Sequence, residues 1–102
     1  MELIRDLLAT HLTAGYPATL GGGAEIEGIS LILLDADIAG LAESFLSSGS
    51  LRSDQRFILR QCVADSMSVL PSLRGDEWVY FARLHALAQA LLRSAPSDAP
   101  TG

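Results

Sequence analysis

The chain has 102 residues, 49% hydrophobic and 19% charged, with 18 Leu, 14 Ala, no Lys, one Cys and a net charge of −5. That length implies one domain, and the missing lysine excludes a Walker-type phosphate loop and any Schiff-base or lysine-base chemistry. The lone Cys62 excludes an internal disulfide, a Cys-x-x-Cys redox pair and a cysteine-rich zinc or iron–sulfur site.

Residues 2–14 carry Leu3, Ile4, Leu7, Leu8 and Leu12, with His11 among them, and this spacing predicts a helix. Gly15 and the Tyr16-Pro17 pair stop it. From Gly15 to Gly28 no period is visible. The run Gly21-Gly22-Gly23 reads as slack in a linker, because it lacks the preceding strand and the Gly-x-Gly-x-x-Gly spacing of a dinucleotide site. Over 30–48, Leu31, Leu34, Ile38, Leu41 and Phe45 recur at helical spacing and form a continuous apolar seam. Ser30 is placed as its N-cap and Gly49 as its C-terminal stop. A short buried strand over 29–34, with a helix from Asp35, is the competing pattern. The seam runs unbroken across Asp35, which favours one helix.

Ser53 is placed to cap a third helix over 54–70, with Leu59, Cys62, Val63, Ser66, Met67 and Leu70 inward and Pro71 ending it. Asp76 is placed to cap a fourth over 77–94, whose stripe is Tyr80, Phe81, Leu84, Leu87, Ala88 and Leu91. Residues 1–94 thus form one helical domain. The tail 95–102, with Pro96 and Pro100 among small polar residues, is expected to be disordered. Four helices with short connections predict an all-α, single-domain four-helix bundle.

No stretch nears the ~18 continuous apolar residues of a membrane span. The start Met1-Glu2-Leu3-Ile4-Arg5-Asp6 lacks a signal-peptide layout, and a lone cysteine suits a reducing compartment. A cytoplasmic protein is expected. Nucleic acid is not expected as a partner, because binding it needs a basic footprint. Here only Arg52, Arg56 and Arg60 align, and such a stripe is ordinarily a solvated face. An acidic chain is better suited to a basic protein.

Few residues suggest chemistry. Asp35-Ala36-Asp37 resembles a metal or acid–base pair, but residues two apart on a helix lie about 200° apart and cannot converge. On a strand they share a face. On a helix Asp35 and Asp37 flank the seam on opposite sides, as boundary charges do. His11 projects onto the apolar face of the first helix and His85 onto the edge of the fourth, and nothing in the spacing requires them to meet. Cys62 falls in a buried stripe, where a thiol acts as a small hydrophobe. No Gly-x-Ser-x-Gly elbow is present. No cofactor is implied.

What remains is surplus apolarity. Ile32 and Leu33 fall away from the seam of the second helix, and Val79, Ala82, Ala86 and Ala90 form a small-residue strip opposite the main stripe of the fourth. Trp78, Tyr80 and Phe81 are candidate anchors beside it. A chain this short buries only about 60–70% of its unfolded surface. The expected function is therefore a non-catalytic protein-interaction module, the expected partner being another protein or a second copy in a homodimer. The interface is expected at Ile32, Leu33, Trp78, Val79, Ala82 and Ala86. The acidic four-helix character resembles, in class and charge alone, bacterial immunity proteins that neutralise basic toxins, which implies an inhibitor or regulatory subunit. The alternative is a metal- or small-ligand-dependent enzyme or sensor using Asp35 and Asp37. A third option is a bundle holding an apolar ligand among Leu31, Leu34, Phe45, Met67 and Phe81.

Overall fold

Four helices and one short hairpin account for most of residues 2–95, the part of the chain described by the computed structural model. Their order is α1 (Glu2–Ala14), β1 (Glu25–Ile26), β2 (Ile29–Ser30), α2 (Leu31–Ser48), α3 (Ser53–Val69) and α4 (Gly75–Ser94). A 3₁₀ turn, Leu70–Ser72, follows α3. The all-α bundle expected from the periodicity is the observed architecture.

The caps explain most of the boundaries. Ser30 Oγ accepts from Leu33 N at the start of α2, and the Gly49 N–H closes its end on the Phe45 carbonyl at 2.7 Å. Gly49 sits at φ 84°, left-handed backbone that glycine adopts without a Cβ clash. α3 begins one residue earlier than expected. Ser53 is its first residue, and Gln55 Oε1 accepts the Arg52 N–H at 2.9 Å. α4 likewise starts at Gly75, so Asp76 lies within the first turn with Glu77, where carboxylates complement the exposed N–H groups.

The stretch expected to be irregular contains the hairpin. Ile26 pairs with Ile29 and Glu25 with Ser30, joined by the two-residue turn Glu27-Gly28. Both turn residues have positive φ, 53° and 79°, the geometry that matches strand twist. Only Ile29 and Ser30 of the competing strand are extended; helix begins at Leu31.

α4 is the central helix, packing against α1, α2 and α3, whereas α1 and α3 make little contact with each other. Its Phe81, Leu84, Leu87, Ala88 and Leu91 are fully enclosed among Ile4, Leu31, Ile38, Phe45, Leu51, Leu59 and Val69. Some expected core positions lie outside. Leu3, Leu12 and Met67 are exposed, because each projects past the edge of its helix stripe. Ala95, assigned to the tail, is buried, and its carbonyl accepts from Arg56 Nη1 at 2.6 Å. The rest of the expected tail lies outside the described residues. No helix among the described residues is long and apolar enough to cross a membrane.

Candidate functional site

The polar groups of the core converge at one point. α1 supplies His11, α2 supplies Asp35 and α4 supplies Tyr80, each from the inward stripe or its border. His11 Nε2 lies 2.5 Å from Asp35 Oδ1, and the Tyr80 hydroxyl donates to Asp35 Oδ2 at 2.6 Å. Both carboxylate oxygens therefore have a donor. Tyr80 Oη also lies 3.3 Å from His11 Nε2, but its single hydrogen is committed to the shorter bond. His11 Nδ1 is buried without a partner. A bare lone pair there is less costly than an orphaned N–H, so the geometry favours the imidazole with its proton on Nε2.

Aromatic packing and charge seal this cluster. The His11 and Tyr80 rings lie 4.8 Å apart, and Tyr16 meets Tyr80 edge-on at 5.7 Å. Burial, then the Asp35 hydrogen bond and charge, push the Tyr80 phenol above its usual range. Burial, with Asp35 and Glu77 nearby, raises Tyr16 as well. Both phenols stay protonated: Tyr80 donates to Asp35, whereas the buried Tyr16 hydroxyl has no partner among the described residues. Thr19 Oγ1 donates to Glu77 Oε2 at 2.6 Å, holding the glycine-rich strap against the start of α4.

A second, smaller pair ties α3 to α4. The buried Ser66 hydroxyl lies 2.6 Å from His85 Nδ1 and donates to the Val63 carbonyl at 2.9 Å. That leaves His85 Nδ1–H as the donor to Ser66. The two histidines thus serve separate helix pairs.

Asp35 and Asp37 are not brought together, because α2 is continuous through both. Asp35 turns toward α1 and α4. Asp37 lines a groove on the opposite side, between α2, α3 and the hairpin. No group of three or more His, Cys, Asp or Glu side chains among the described residues is arranged to hold a metal. The proposed apolar-ligand lining does not enclose a space either: Leu31, Leu34, Phe45 and Phe81 are packed in the core and Met67 faces out. Cys62 is buried, and desolvation, with Asp37 and Asp65 close by, pushes its thiol up to about 12. It is an inert thiol.

The expected interface residues divide. Ile32, Leu33 (62% exposed), Trp78 (47%) and Val79 are exposed, as is Ala86, while Ala82 is half-buried. Tyr80 and Phe81, expected as anchors, are buried, and so is Ala90 from the strip. Phe57 and Ile58 of α3 were not singled out by sequence, yet both are exposed. Ile58 sits one position from Leu59, on the border of the buried stripe, and this border position is the signal that marks it.

Compared with known protein families, characterised proteins and solved structures, the chain matches none.

Proposed function

We propose that this protein is a non-catalytic interaction module whose helices present apolar surface to another protein. The observation that carries this reading is a closed core beside large uncovered side chains. Leu33, Phe57, Ile58 and Trp78 remain open to water although neighbouring positions fill the interior completely. Burying such side chains yields about 1.5–3 kcal/mol each, and aromatic anchors dominate interface energetics. The polar groups that suggest catalysis are instead engaged with one another. Asp35 is saturated by His11 and Tyr80, Cys62 is buried, and His85 is bonded to Ser66. The acidic balance favours a basic protein as the partner, in the manner of an inhibitor or regulatory subunit.

The test is a mass measurement. The chain is isolated gently from its native cell and its particle mass is read by light scattering. The expected result is a stoichiometric complex, with a companion protein or a second copy. Leu33→Ser combined with Trp78→Ser should dissolve it without altering thermal stability. A strict monomer with no stoichiometric companion overturns the reading.

A further inference from the structure

One groove is distinguished by its charge. It lies between α2 and α3 and is closed at one end by the hairpin, with a volume of about 450 Å³. Its apolar walls are Ile29, Leu33 and Ile58, over Leu34 and Cys62 at the bottom. Around this lining stand three carboxylates, Glu25 from β1, Asp37 from α2 and Asp65 from α3, and none of the seven arginines lines it. Asp37 and Asp65 both act on the Cys62 thiol at the bottom, so their negative potential reaches into the groove.

We propose that this groove receives a cationic amphipathic helix of a partner protein, an inference that rests on the interaction reading above and specifies its partner. A helix ridge fits the furrow between two packed helices, with apolar residues spaced at three and four along it. Lysine or arginine side chains flanking that ridge meet Glu25, Asp37 and Asp65. An added strand is disfavoured, because the hairpin offers only two residues of edge. A second copy of this chain has little to offer in the same role. Of its three aligned arginines, Arg52 is paired with Asp54 and Arg56 with the Ala95 carbonyl, which leaves Arg60 alone to face three carboxylates.

The experiment uses the full chain and a synthetic amphipathic Leu/Lys peptide of about four helical turns. A peptide of the same pattern with Glu replacing Lys is the comparison. The expected result is that only the Leu/Lys peptide binds, with amide shifts confined to residues 25–37 and 58–65. Asp37→Asn with Asp65→Asn should weaken it by roughly tenfold and flatten its salt dependence. Both side chains lie outside the core, and an unchanged melting temperature certifies the fold. Leu33→Ser should abolish binding. Equal binding of the two peptides, indifference to the Asn pair, or shifts centred on Leu3, Leu7 and Ala86 would each overturn the proposal. Failure of both peptides also overturns it, while a native complex detected by mass keeps the interaction reading standing.

Discussion

Asp35 organises the interior at the level of single residues. Its two oxygens take one donor each from α1 and α4, so one carboxylate links three helices. Tyr80→Phe keeps the ring against Tyr16 and removes only the hydroxyl. Leaving Oδ2 short of a partner should lower stability by about 1–2 kcal/mol, measured by denaturant unfolding. In an Asp35→Asn background the same change should lose less, because the charge that strengthens the bond is gone. His85 gives a pH signature of opposite origin. Burial lowers its pKa from the ordinary 6.5, so the unfolded chain takes up the proton first. Its contribution is full above about 6.5 and declines as pH falls through that value toward the depressed folded one. Melting temperature should therefore drop between about pH 7.5 and pH 5, and His85→Gln should make that drop shallower.

Among the elements, the hairpin turn is the strained one. Glu27 holds φ 53°, and an L side chain in left-handed backbone costs about 1–2 kcal/mol. Glu27→Gly relieves the clash but enlarges the unfolded ensemble. The net expectation is a gain of roughly 0.5–1 kcal/mol, read as a higher denaturant midpoint. The same segment marks a limit of sequence reading. Helices of thirteen to twenty residues repeat their apolar period several times and declare themselves. A hairpin with two-residue strands completes no period, and its turn carries Glu where Asn or Asp normally signals the geometry. The ends of α3 and α4 were displaced by one or two residues for a related reason. Gln55 accepts the Arg52 N–H at the start of α3, and at α4 no side chain caps the first turn, whose Asp76 and Glu77 complement the helix dipole instead.

Across the whole molecule, residue types were legible but their meetings were not. His11 on an apolar face and Asp35 at the border of a seam are visible in projection, and so is Tyr80 in a stripe. Their convergence depends on how three helices cross, with 24 and 45 residues between partners. Local periodicity carries no information at that range. The opposite fates of Asp35 and Asp37 were legible, since a continuous helix must turn them apart. The groove around Asp37 was not, because half its wall comes from α3 and its end from the hairpin.

The near absence of contact between α1 and α3 has a consequence for how the molecule opens. α1 leans mainly on α4 and α2, and Ile4, Leu8 and His11 are its only buried residues. Local opening free energies scale with the apolar surface that must be exposed. α1 can thus peel away as one cooperative segment while α2, α3 and α4 keep their shared packing. Its amides should exchange with solvent hydrogen before those of α4, and the polar knot at Asp35 is the latch that sets how long they wait.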